Sequence, residues 1–191
     1  MKDYILKTPM DKNQLDTLTD ALVNAMRYND PSVMYPDVEA AKPNDGVEPE
    51  WFYPIYMGTN DFSELTAIHM YTGQETKFEK IGELMLGIGM TEMKHFGKIG
   101  EFIHAIGGTI DQGYDNSGVD LGETDEDALR VAIDGEKKTI VFYDKLRKRI
   151  EEVEETETTK IALQLVAKLR ADEVIHLNLL TDKLQKKESW K

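Results

Sequence analysis

Ile88-Gly-Met-Thr-Glu-Met-Lys-His95 and Arg170-Ala-Asp-Glu-Val-Ile-His176 each place a glutamate three residues before a histidine, Glu92 before His95 and Glu173 before His176. On a helix turning about 100° per residue, positions i and i+3 share a face, so both groups of a pair can reach one ion. Glutamate fills 19 of 191 positions, yet three of the four histidines have one at that spacing, the third being Glu101-Phe-Ile-His104. Chance alone can supply one of the three, so spacing needs a second criterion. That criterion is what else lies on each face.

Within about 40° of Glu92 fall Ile81, Met85, Ile88, Phe96, Ile99 and Ile103. Glu173 shares its stripe with Ala162, Val166, Leu169, Leu177, Leu180 and Leu184. A carboxylate on such a stripe faces the core, where a bare charge costs several kcal/mol unless it is paired or bound to a metal. For one pair alone, a buried Glu–His hydrogen bond meets that need, or a Glu173–Arg170 pair. Glu101 lies about 180° from Glu92, so the third pair reads as solvated helix surface.

Two further glutamates sit alone on apolar stripes. Glu64 is flanked by Met57, Ala67 and Ile68, and Glu136 by Leu129, Ala132, Ile133 and Ile140. Seven residues after each comes a tyrosine, Tyr71 and Tyr143; seven residues is close to two turns, so each phenol shares its glutamate's stripe. A half-buried tyrosine with a satisfied hydroxyl accounts for either one. The repetition in both halves favours phenols that hydrogen-bond a ligand or an oxygen species and steer electron transfer.

The formal charge is −13 with 40% hydrophobic residues, which describes a soluble acidic chain that repels nucleic acid and anionic membranes. Cysteine is absent, excluding disulfides, thiolate zinc sites and iron–sulfur ligands. No stretch is apolar enough to span a bilayer and the N-terminal residues lack a signal-peptide core, so the expected location is cytoplasmic.

Residues 1–58 read as an arm. Asn13–Arg27 suits a short amphipathic helix through Leu15, Leu18, Leu22, Val23 and Met26, and five prolines from Pro31 to Pro54 then preclude a long one. Trp51, Phe52, Tyr53, Ile55 and Tyr56 form an aromatic cluster suited to packing on the rest of the chain or a neighbouring subunit. Residues 59–191 read as a second unit of four helices. Thr59 or Asn60 caps the first, which runs to about Glu75. The second follows a break at Thr76–Phe78 and ends at Gly107-Gly108. The third opens at Thr124 and runs to about Val153, and the fourth follows the turn at 154–158 and ends near Leu184. Two short connections make hairpins, and the connection of about fifteen residues between them crosses the bundle and leaves the middle helices parallel. Gly82, Gly89 and Gly100 fall on one strip of the second helix, implying close approach of a neighbouring helix, within the subunit or across a dimer.

On Glu64-Leu-Thr-Ala-Ile-His-Met-Tyr71 and the two quoted Glu-x-x-His segments, residues 60–184 resemble the ferritin-like superfamily of rubrerythrins, bacterioferritins and manganese catalases. The resemblance implies an all-α fold: a ferritin-like four-helix bundle with one long crossover connection, here with an N-terminal helix and irregular arm. It implies a centre of two Fe or Mn ions per subunit. Glu92 and Glu173 would bridge them, Glu64 and Glu136 would be terminal ligands, and His95 and His176 would each give one nitrogen. The chain departs from rubrerythrins in having no cysteine for a rubredoxin module, and in Thr139 near the place of their extra carboxylate. A separate electron donor is therefore expected.

Four carboxylates carry about −4, which two divalent ions neutralise, and hard oxygen donors with imidazole suit Fe or Mn. Two ions ~3.5–4 Å apart can take O2 or H2O2 between them and exchange two electrons. The expected activity is that of an oxidoreductase of peroxidase, catalase or ferroxidase type, reducing peroxide or O2 in oxidative-stress defence and acting as a homodimer or higher homo-oligomer. The alternative is a ferroxidase and iron storage protein of the ferritin–bacterioferritin type, which needs a hollow assembly.

Overall fold

The computed structural model describes residues 12–13, 17–18, 27–110 and 117–186. Among the described residues five α-helices have both ends defined and no strand occurs: α1 (Tyr53–Met57), α2 (Glu64–Lys77), α3 (Gly82–Ala105), α4 (Asp125–Glu151) and α5 (Glu157–Gln185). The helix expected over Asn13–Arg27 lies largely outside the described residues; within it Asn13, Thr17 and Leu18 are helical.

The helix ends follow side-chain chemistry. Thr124 caps α4 by accepting from Asp127 N (3.1 Å), and the acidic first turn, Asp125 to Asp127, faces the positive end of the helix dipole. Thr156 caps α5 within a capping box closed by Thr159. Gly107 ends α3 in the left-handed region (φ 87°), where Gly108 N reaches back to Ile103 O (2.8 Å). The start of α2 differs from expectation. Ser63, not Thr59 or Asn60, is the cap and accepts from Thr66 N (3.2 Å). Asn60 instead tightens the loop before it, accepting from Phe62 N and donating to Pro54 O. This delay makes Glu64 the first residue of the helix.

α2 pairs with α3 and α4 with α5 as hairpins. Gln74, near the end of α2, donates to Ala128 O at the start of α4, whereas Tyr143, further along α4, reaches Glu64 at the start of α2. α2 and α4 are thus antiparallel, and α3 and α4 are parallel. The expected crossover therefore runs the length of the bundle. Its described end lies beside α2, with Leu121 O accepting from Gln74 and Gly122 O from Lys77.

Two apolar clusters fill the bundle. One joins Phe52, Ile55 and Tyr56 of the arm to Ile99, Phe102, Leu146 and Leu165; the other gathers Ile81, Met85, Ile88, Leu129 and Leu180. The aromatic segment packs on the bundle itself, Phe52 against Phe102 (centroids 4.9 Å) and Tyr56 stacked on Phe96 (4.2 Å). The glycine strip is occupied as expected, but by two different neighbours. A Cβ on Gly82 or Gly89 would meet Glu75 O or Tyr71 of α2, while one on Gly100 would meet the Tyr56 hydroxyl of the arm. No described helix is long and apolar enough to cross a membrane.

Candidate metal centre

Glu64, Glu92, Glu136 and Glu173 project into the bundle one from each long helix, joined by His95 on α3 and His176 on α5, and all six are buried. They form two overlapping groups, Glu64–Glu92–His95–Glu173 and Glu92–Glu136–Glu173–His176, with the offered donor atoms of each group within 4.8 Å of one another. Glu92 and Glu173 belong to both groups, and the imidazoles lie with centroids 5.8 Å apart. All six residues named from the sequence are thus brought together. Glu101 and His104 are left on the surface, where Glu101 pairs with Lys98 (2.8 Å) and Lys12 (3.2 Å). Arg170 does not serve Glu173; it makes a two-point pair with Asp144 (2.6 and 3.2 Å).

Both imidazoles are oriented alike. Nδ1 faces the carboxylates: His95 Nδ1 is 2.9 Å from Glu92 Oε2 and 3.2 Å from Glu173 Oε1, and His176 Nδ1 is 2.9 Å from Glu92 Oε1 and 3.2 Å from Glu173 Oε2. Nε2 faces away and donates to an acceptor that cannot itself donate, Asp172 Oδ2 for His95 (3.1 Å) and the Tyr28 carbonyl for His176 (2.7 Å). With Nε2 carrying the proton, the neutral ring presents its Nδ1 lone pair to the site, as a metal ligand requires.

The tyrosines cross over between the halves. Tyr71 donates to Glu136 Oε1 and Tyr143 to Glu64 Oε1, not each to the glutamate on its own helix. Seven residues at 1.5 Å rise put each phenol about 10 Å along the axis from its own glutamate, level with the glutamate of the antiparallel neighbour. Burial, and then the adjoining Glu136 or Glu64, push both phenols well above their usual range, so they remain protonated donors.

Electrostatics divides the carboxylates into two kinds. Burial, reinforced by neighbouring carboxylates, raises Glu64 and Glu136 well above the ordinary range. Burial also acts on Glu92 and Glu173, but Glu92 is held low by the two imidazoles, and Glu173 by hydrogen bonds from Glu136, His176 and His95. On the imidazoles burial opposes the charge and is outweighed by the acidic groups around them, so both are raised. Glu64 Oε2, Glu92 Oε1 and Glu173 Oε1 are buried 3.5, 2.9 and 3.2 Å from an imidazole Nδ1, yet none has a partner in hydrogen-bond geometry. Orphaned carboxylate oxygens turned toward two imidazole nitrogens are costly in a protein interior and fit a multivalent cation.

Sequence reasoning passed over a second layer of residues. Asp172 is fully buried and accepts from His95, from Lys168 Nζ (2.8 Å) and from Asp30 N (2.6 Å), while Lys168 also donates to Asp30 O (2.8 Å). An Asp four residues after a Lys on one helix was the available signal, although that spacing usually marks an exposed pair. Nothing in the sequence marks the Tyr28 carbonyl. Thr139, at the position without a carboxylate, donates to Phe62 O and Gly135 O (3.1 Å each) beside a small cavity of about 10 Å³, which reaches Glu64, Glu136 and Tyr71 between α2 and α4.

Four helices carrying four buried carboxylates and two inward-facing imidazoles give a bundle whose centre could hold metal ions. The ferritin-like domain family matches over residues 63–187, and the chain belongs to that family. Neither a curated protein nor a solved structure matches it.

Proposed function

We infer that this chain is an oxidoreductase that reduces hydrogen peroxide or O2 at a pair of iron or manganese ions held by Glu64, Glu92, His95, Glu136, Glu173 and His176. The observation that carries the reading is the placement of Tyr71 and Tyr143 on Glu136 and Glu64, with Tyr71 and both glutamates lining a cavity that has room for one water-sized molecule. For peroxide the balance is H2O2 + 2 H+ + 2 e− → 2 H2O. Two such ions, each changing by one electron, supply the electron pair, and a separate reductant restores it.

The protein's own contribution is positional and protonic. Glu92 and Glu173, each in both donor groups, would be shared by the two ions; Glu64 and Glu136, each in one group, would each serve one ion. The phenols keep Glu64 Oε1 and Glu136 Oε1 engaged, and Glu64 Oε2 is left without a hydrogen-bond partner. Tyr71 also holds a proton at the edge of the cavity, where cleavage of an O–O bond would consume it. The apolar clusters on either side keep bulk water out.

The test is peroxide consumption by the full-length protein loaded with Fe(II) or Mn(II), with and without a reductant. Consumption that needs the reductant marks a peroxidase, and O2 release without it marks a catalase. Tyr71→Phe combined with Tyr143→Phe should retain metal and slow turnover by about tenfold or more. Metal-loaded protein inert to both O2 and H2O2 would rule the reading out. A shell-sized native mass with accumulated oxidised iron would replace it with ferroxidase and storage.

A further inference from the structure

The two histidines are fixed from outside by one short segment of the arm. Tyr28 O accepts from His176 Nε2 at 2.7 Å; two residues on, Asp30 N donates to Asp172 Oδ1 at 2.6 Å, and Asp172 Oδ2 accepts from His95 Nε2 at 3.1 Å. Lys168 clamps the far side, donating both to Asp30 O and to Asp172 Oδ1 (2.8 Å each). Tyr28 and Asp30, with one residue between them, thus reach the outer sides of both halves.

The partners are unlike in kind. His95 donates to a carboxylate, and His176 to a neutral peptide carbonyl. The residue before Glu173 is Asp172, whereas the residue before Glu92 is Thr91, which cannot play the same part and bonds Gly87 O in its own helix (3.3 Å). The peptide carbonyl of Tyr28 therefore stands where a second carboxylate is missing. Its position depends on how the Tyr28 ring seats on Gly87, where a Cβ would come within 2.1 Å of the ring. Asn29, between the two contacts, is buried with neither side-chain polar atom partnered, so this seating opposes itself and needs compensation from its neighbours.

We propose that residues 28–30 are a positioning strap that completes the metal centre, holding the His176 half through a peptide carbonyl and the His95 half through Asp172, so that the two halves bind metal unequally and loading the His176 half seats the arm. The inference rests on the metal-binding reading above. A carboxylate partner makes an imidazole the stronger donor, so the His95 half is the tighter. The His176 half is set by the arm. An ion on His176 Nδ1 strengthens the Nε2–H donor to Tyr28 O, and by linkage a seated arm strengthens the ion's binding.

Because a carbonyl cannot be deleted by substitution, Gly87 is the lever. In the full-length protein, Mn(II) titration by calorimetry and by electron paramagnetic resonance should show two unequal sites. Gly87→Ala should weaken one of them by about 10- to 100-fold and convert the spin-coupled pair to a mononuclear signal at limiting Mn(II). Gly97→Ala, with nothing within 4 Å of the added carbon, should leave both sites unchanged. Tyr28→Ala should make the Gly87→Ala effect non-additive, because both act through one contact. Hydrogen exchange at the segment 28–34 should slow at least tenfold on loading the wild type, and not in Gly87→Ala. Two Mn(II) bound by Gly87→Ala with wild-type affinity, or a wild type that binds two Mn(II) with no change in exchange at 28–34, would overturn the strap. A wild type that binds no Mn(II) or Fe(II) would instead overturn the metal reading itself.

Discussion

Glu64, Glu92, Glu136 and Glu173 cannot all be ionised together in an interior that holds no cation, and their environments show how protons solve the problem. Raised Glu64 and Glu136 and raised His95 and His176 hold four protons, leaving Glu92 and Glu173 to balance two imidazolium rings. Two divalent ions carry the same charge as those protons beyond what the ligands need, so loading should release up to four protons per pair of ions. The signs for the metal-free protein follow. Folded values above the ordinary 4.5 for Glu64 and Glu136, and above 6.5 for the histidines, mean that the folded chain binds more protons than the unfolded one. Their contribution is present below those ordinary values and is lost as pH rises through the folded ones. Glu92 and Glu173 act oppositely, their contribution lost only as pH falls below 4.5 through the depressed folded values. From about pH 5 to about pH 8 the metal-free unfolding free energy should therefore fall by about 1.4 kcal/mol per pH unit for each extra proton held, and the melting temperature with it. The gain on adding Mn(II) should grow over the same range. Scanning calorimetry at several pH values checks both; a metal-free protein that becomes more stable toward pH 8 would contradict the assignment. The tyrosine pairing belongs to this scale too. A period of seven placed Tyr71 and Tyr143 on the right stripes, but only the antiparallel packing of α2 and α4 decides which carboxylate each one meets.

Among the elements, α3 is the most demanding, because it carries a ligand pair and glycines that α2 and the arm press against. Gly100 sits under Tyr56, whose hydroxyl would be 2.9 Å from an added Cβ, whereas Gly97 faces open space. Gly97→Ala should stabilise the protein by up to ~1 kcal/mol through helix propensity, while Gly100→Ala should destabilise it by about 1–3 kcal/mol through overpacking. Urea unfolding of both variants reads the difference, and equal effects would mean that the arm does not seat on α3 as described. The inward faces of all four long helices were legible beforehand because apolar periodicity survives any detail of packing. The caps Thr124 and the Glu-Thr-rich turn before α5 were legible because they act within one turn of chain. Ser63 was harder to read because its role depends on Asn60 folding back to Pro54, which no local pattern records. Lys168 and Asp172 carried a visible spacing, but one that ordinarily marks an exposed pair; what ties them in is Asp30, on a segment with no periodicity.

At the scale of the molecule, two apolar clusters fill the bundle and the charged site is set among its four long helices, so metal bound there would be thermodynamically linked to fold and arm. A ligand that binds only the folded chain stabilises it by about 2.7 kcal/mol at a hundred times its dissociation constant, which makes loading visible as stability as well as stoichiometry. The most direct measurement is elemental analysis with a Mn(II) or Fe(II) titration of the full-length protein, beside Glu92→Ala. The expected result is two ions per chain in the wild type, with paired binding abolished when Glu92, common to both donor groups, is removed. A wild type that binds fewer than two ions, or a Glu92→Ala protein that still binds two as a coupled pair, would contradict the shared-carboxylate centre.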